Sequence, residues 1–224
     1  GRHPTFHQRD AVMSQKLVAV VDYGMGNLRS VSKAAEHVAN TQTKVIVTSK
    51  PEEIESADAI IFPGQGAAKA CMKALRDTGM IHPIQKAAQE KPFLGICMGL
   101  QVLMSHSNEN SGIECLDIIK GNVRHFEISD HAELKVPHMG WNQINQTIDH
   151  PLWQNIPQDS RFYYVHSYFV EPDNKNTIAG QTTHGETFTA ALSHKNLFAI
   201  QAHPEKSAEH GLQLLKNFLQ WNGQ

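Results

Sequence analysis

The residue in this sequence best placed for covalent chemistry is Cys97, the centre of Gly95-Ile-Cys97-Met-Gly99. An apolar strand pattern precedes it and a helical pattern follows. Small residues on both sides of a nucleophile at such a junction permit a tight elbow that lifts the side chain above the sheet edge. The N–H groups opening the next helix favour a thiolate and can bind a developing oxyanion. The more common fate of a cysteine is to pack as a small hydrophobe. Cys71 and Cys115 have no elbow around them and are read that way.

A thiol nucleophile needs a base, and the base needs a group that orients it. Gln201-Ala-His203-Pro-Glu205 follows the apolar run Leu197–Ile200. His203 and Glu205 therefore fall at a strand's carboxyl end, where open α/β sheets place their sites. Alone, one of fourteen histidines would pass as ordinary surface or core. Its pairing with an elbow and a nearby carboxylate makes it a candidate base. Pro63-Gly64-Gln65-Gly66 also follows an apolar run, and its glycines let backbone N–H groups turn toward a ligand. Alone it reads as a plain turn. Beside a cysteine elbow it is a candidate oxyanion strand, where one donor is worth about 3–4 kcal/mol in the transition state.

The elements that must position these groups alternate in the first half. Leu17–Val21, Lys44–Val47, Ala59–Phe62 and Phe93–Leu94 read as buried strands, the last stopping at Gly95. Helices are predicted from an Asn27 cap to about Ala39, over Ala67–Thr78 and over Met98–Met104. This order implies parallel strands with right-handed crossovers. In the second half Val165–Val170, Phe188–Leu192 and Leu197–Ile200 read as strands, and Ala208–Trp221 as a closing amphipathic helix. The expectation is a three-layer α/β/α fold with a mixed, mostly parallel sheet. One domain is expected over 13–224, with residues 1–12 an aperiodic extension.

Other chemistries fit poorly. The histidines and cysteines lack zinc spacing, so no metal is expected. The net charge of −2 without a basic block argues against nucleic acid or an anionic membrane as partner. The longest nearly apolar stretch, Phe93–Met104, is too short for a membrane span, which needs about 20 residues, and a cytoplasmic protein is expected. Gly24-Met-Gly26 imitates a dinucleotide fingerprint, but Arg29 stands where its third glycine belongs.

Together the three motifs resemble the class I glutamine amidotransferases. Four further strings narrow the likeness: Asp22–Ser30, Pro137–Asn142, Tyr163–Tyr168 and Gln201–Ser207. They resemble the glutaminase subunits of imidazole glycerol phosphate synthases, of histidine biosynthesis, and the resemblance runs from about Leu17 to Trp221. It implies Cys97 as nucleophile, His203 as base and acid, and Glu205 as orienter. It also implies glutamine contacts from Gly66, Gln101, Ser167 and Tyr168. The implied oxyanion hole uses amides near Gln65 and Met98, with Gly64 in the same loop. No cofactor is implied. The implied partner is a cyclase subunit with a (β/α)8-barrel, bound as a heterodimer, which takes the ammonia. Gln65 and Ala202 depart from the usual pattern, which carries an apolar residue and often an aromatic one there. Three other readings remain: a glutaminase serving amidation of a surface sugar, a cysteine hydrolase of another class, and a binding module on a degenerate triad.

Overall fold

The computed structural model describes residues 15–128 and 133–224, so the extension expected at 1–12 lies outside the described residues. Along the chain the strands are β1 (Lys16–Val21), β2 (Thr43–Thr48), β3 (Ala59–Phe62), β4 (Phe93–Ile96), β5 (Met104–Ser107), β6 (Ile113–Glu114) and β7 (Ile119–His125). Then come β8 (His138–Gln143), β9 (Asn145–Gln146), β10 (Arg161–His166), β11 (Tyr168–Pro172), β12 (Ile178–His184), β13 (Glu186–His194) and β14 (Leu197–Ile200). The main sheet runs β2-β1-β3-β4-β14-β13-β11-β7-β5-β6. Its first five strands are parallel, and β13 and β11 then run antiparallel to their neighbours. A separate antiparallel ribbon pairs β10 with β8. The mixed sheet between helical layers is the architecture that the alternating pattern implies.

The central strands are apolar on both faces because both faces are covered. On β1, Val18 and Val20 pack with Val31 and Ala35 of helix Leu28–Val38 and with Leu214 and Phe218 of helix Ala208–Gln220. The alternate residues Ala19 and Val21 join Ile54, Leu75 and Ile84 in the opposite layer. These come from helices Pro51–Ser56, Ala68–Asp77 and Ile81–Glu90. Each large aliphatic chain so buried stabilises the fold by roughly 2 kcal/mol relative to exposure.

Several expected boundaries move. The helix after Cys97 is a single turn, Met98–Gln101, and Met104 already begins β5. In a continuous apolar run, periodicity cannot mark where helix gives way to strand. Asn27 stands at the helix N-cap, but its side chain makes no capping hydrogen bond. Phe93–Leu94 extends through Gly95 to Ile96. Two helices escape the sequence reading. Pro51–Ser56 is short, and Ile81–Glu90 carries Pro83 in its first turn, where a missing N–H costs no intrahelical bond. Val165–Val170 is not one strand: it breaks at Ser167, with β10 in the ribbon and β11 in the main sheet. No described helix is long and apolar enough to cross a membrane.

Candidate active site

Strand order explains why three motifs far apart in sequence meet. β3, β4 and β14 are adjacent and parallel, so their carboxyl ends share one edge. Ile96 pairs with Ile200, which starts the Cys97 and Gln201 segments at the same level. Pro63–Gly66 leaves the neighbouring β3 on the other side of the elbow.

Cys97 has φ 57° and ψ −113°, a conformation that costs a non-glycine residue roughly 1–3 kcal/mol. Its surroundings enforce it. A Cβ on Gly99 would overlap the Phe62 carbonyl oxygen, and one on Gly95 would come within 2.7 Å of the Gly99 carbonyl oxygen. Only glycines let the turn after β4 fold this closely onto β3 and onto itself. Cys97 N–H donates to Ile200 O at 2.9 Å, tying the elbow to β14. Because the helix is one turn long, its contribution is local. The first N–H groups, Met98's among them, lack intrahelical acceptors and are free of that demand.

The side chains of His203 and Glu205 are both buried, and His203 Nδ1 lies 2.7 Å from Glu205 Oε1. His203 is fixed through its backbone as well: its N–H donates to Tyr163 O, and its carbonyl accepts from Ser207 Oγ. His203 Nε2 and Glu205 Oε2 are buried without hydrogen-bond partners among the described residues. Burial opposes charge on the imidazole, but a Cys97 thiolate and the Glu205 carboxylate favour it, and the balance lifts His203 to about 10. The same ring can therefore hold a proton at neutral pH and release it to a departing group.

A cavity of about 460 Å³ opens over these residues. Gln65, Gly66, Cys97, Met98, Gln101, Ser167, Tyr168 and His203 line it, which brings together most of the residues singled out from sequence. Glu205 stands behind His203 rather than on the wall. Gly64 is also off the wall, where an added Cβ would lie 2.6 Å from the Tyr23 hydroxyl and 2.9 Å from Met98 Cβ. Its contribution is to let the Pro63–Gly66 loop approach the elbow. Gln101 Nε2 donates to Tyr168 O and to Gln201 Oε1, each at 3.0 Å, while its own Oε1 is buried and has no hydrogen-bond partner among the described residues. Gln201 was missed as a site residue, although its Nε2 lies 3.8 Å from Cys97 Sγ. Its place directly after β14, level with Cys97, was the available signal. Glu109, Pro137, Val165 and His166 also line the cavity; the last three lie in the strings Pro137–Asn142 and Tyr163–Tyr168 but were not singled out as site residues, and nothing in the local sequence marked Glu109.

The remaining cysteines differ in setting. Burial pushes both Cys71 and Cys115 up to about 11, so neither is a thiolate at neutral pH. Cys71 Sγ donates to Gln65 O at 3.2 Å, beneath the candidate oxyanion loop. No group of three or more metal-capable side chains occurs among the described residues.

Fold and site define a class. The chain belongs to the class-I glutamine amidotransferases, whose family model matches residues 19–221. It is 70% identical over 210 residues to imidazole glycerol phosphate synthase subunit HisH of Hydrogenovibrio crunogenus, covering 94% of this chain and 99% of that protein. To the protein of the same name from Nitrosococcus oceani it is 53% identical over 206 residues, covering 92% and 98%. Among solved structures, a glutamine amidotransferase matches with a TM-score of 0.67 at 16% identity, over 91% of this chain and 97% of that one. PurLQS from Thermotoga maritima matches at 0.65 and 17%, over 92% and 98%. At those identities the structural likeness speaks for the fold alone.

Proposed function

We propose that this chain is the glutaminase subunit of an imidazole glycerol phosphate synthase, acting in histidine biosynthesis in the cytoplasm through one amidotransferase domain spanning 13–224. The observation that carries it is the strained Cys97 at the end of β4, beside a His203–Glu205 pair at the end of the adjacent β14. The high identity to HisH subunits supports the same reading.

In this reading Cys97 Sγ attacks the side-chain carbonyl carbon of glutamine. Negative charge gathers on the carbonyl oxygen, and N–H groups of Met98 and Gln65 receive it. The tetrahedral intermediate collapses as His203 gives a proton to the departing ammonia, leaving a γ-glutamyl thioester. His203 next takes a proton from water, hydroxide adds to the thioester, and glutamate leaves with Cys97 restored. Gln101, Ser167 and Tyr168 hold the amino-acid end of glutamine. Thiol, base and oxyanion donors together supply the chemistry.

The ammonia passes to a cyclase subunit that forms a heterodimer with this chain. Its docking face is centred on β8, where Met139 is 61% exposed and Trp141 is 52% exposed. Large exposed apolar side chains of this kind anchor interfaces. Pro137, just before β8, lines the cavity, so a partner seated there borders the site.

An electrophilic glutamine analogue, a diazoketone in place of the carboxamide, tests the site. It is expected to alkylate Cys97 once per chain, leaving Cys71 and Cys115 unmodified, as read by peptide mass spectrometry. Labelling of Cys71 or Cys115 instead, or of no cysteine, would count against the assignment.

Replacing Glu205 by Gln separates the orienter from the nucleophile. Glu205 helps to raise His203, so its loss lowers the imidazole's affinity for a proton. The imidazolium is required when ammonia leaves, so activity falls as pH rises through its pKa. The basic limb of the pH profile is thus expected to move to lower pH. The loss in kcat should be about two orders of magnitude smaller than that caused by removing the nucleophile. An unmoved basic limb in Glu205→Gln would rule out this role.

A further inference from the structure

Two buried histidines beside the cavity have no part in the chemistry above. His166 ends β10 and lines the cavity; His138 opens β8 and is its cross-strand partner. His138 Nδ1 lies 2.9 Å from His166 Nε2. Beyond them His166 Nδ1 is 2.8 Å from Tyr168 O, and His138 Nε2 is 3.1 Å from Asn142 Nδ2.

The direction of every bond in this chain follows from its ends. The Tyr168 carbonyl can only accept, so His166 Nδ1 carries a hydrogen. At the far end Asn142 is fixed by two backbone groups. Its Nδ2 faces Thr183 O at 2.9 Å, and its Oδ1 accepts from Gln143 N–H at 2.8 Å. The amide nitrogen therefore donates to His138 Nε2, which must be bare. His138 Nδ1–H then donates to His166 Nε2, the one remaining acceptor. Both ends dictate the same polarity, and both rings are neutral with the hydrogen on Nδ1.

We propose that His138 and His166 are positioning residues for glutamine binding. Their hydrogen-bond chain from Asn142 holds the Tyr168 carbonyl at the break between β10 and β11. That carbonyl also takes Gln101 Nε2, so the chain fixes the Gln101 side chain with its unpartnered Oε1 free for a ligand. It likewise fixes the kink that presents Ser167 to the cavity. A strand break leaves backbone groups without ladder partners, and a buried imidazole replaces one of the missing bonds. The electrostatics agree. Burial first, then electrostatic repulsion from His184, whose ring centroid lies 4.2 Å away, pushes His138 down to about 4. Burial pushes His166 down to about 3; the hydrogen bond to the Tyr168 carbonyl opposes it, and His138, His184 and His203 add to it in turn. A proton on either ring would put N–H against N–H within the chain.

The proposal rests on Gln101 and Tyr168 being part of the glutamine site, but its first test does not. Proton–nitrogen correlation spectra of the full chain, through the imidazole two-bond couplings, are expected to show both rings protonated on Nδ1 alone. They should not titrate between about pH 5.5 and 8, where ordinary histidines do. An Nε2-protonated or charged His166 would overturn the proposal whatever the enzyme's activity. In the complex with the cyclase, His138→Leu is expected to raise KM for glutamine about tenfold, the effect of leaving a buried polar partner unmatched, with kcat within about threefold. Asn142→Ala, at a half-buried position, should act in the same direction more weakly and let His138 populate the other tautomer. It decides the matter if His138→Leu fails to fold. An unchanged KM in a folded variant, or a fall in kcat alone, would overturn the proposal.

Discussion

Cys97→Ala is expected to lower glutamine-dependent activity by about four to six orders of magnitude, the scale of nucleophile loss in a catalytic triad. No other thiol can substitute. Cys71 and Cys115 are held protonated by burial, and Cys71 Sγ is engaged with the Gln65 carbonyl. Synthesis driven by added ammonium salt should survive in the complex with the cyclase, since that chemistry belongs to the partner. The fold should also survive. Alanine keeps the same Cβ at the strained φ, and the glycines that shape the elbow are untouched. Denaturant midpoints of the two proteins should therefore agree closely. Equal loss of the ammonia-driven reaction would mean that the substitution had damaged the assembly, not the nucleophile.

The parts of this site that were legible in the sequence are those whose chemistry depends on neighbours in the chain. The elbow needs glycines next to Cys97, and the Phe62 and Gly99 carbonyl contacts give the physical reason. His203 and Glu205 are two residues apart, so their pairing could be read directly. The parallel strands were legible because burial on both faces makes them apolar throughout, as in Ala59–Phe62 and Leu197–Ile200. What was hidden depends on partners distant in sequence. Gln201 faces Cys97 only because β14 and β4 are in register. The break at Ser167 is invisible in Val165–Val170 because both halves are good strand sequence; the long-range pairings with β8 and β7 decide where each half goes. His138 and His166 meet for the same reason, 28 residues apart. Local pattern also failed at Val102–Met104, where an apolar run fits helix and strand alike.

Coupling to the partner should carry the second large effect. Ammonia released into water is protonated and diluted, so hydrolysis without an acceptor is wasted, and a subunit that works as half of an enzyme gains from staying slow alone. The docking face proposed here runs beside the site: Met139 pairs with Val165, a cavity-lining residue, and Pro137 lies on the rim. The loop that would supply an oxyanion donor has fixed ends. Tyr23 hydroxyl donates to Pro63 O at 2.9 Å and Cys71 Sγ to Gln65 O, leaving the Gly64–Gln65 peptide between them as the one to reorient. A partner that favours the donor orientation can raise the rate by its differential binding to the two states and no more. Stimulation of about a hundredfold lies within the usual range of such coupling.

Steady-state release of glutamate from glutamine tests the account most directly, measured for the isolated chain, for the chain with the cyclase, and for that complex with the cyclase's ligand bound. Weak release alone and strong release in the liganded complex is the expected result. Equal rates in all three would contradict the gating by the partner, and no glutamate from any of them would contradict the central claim that this chain is a glutaminase.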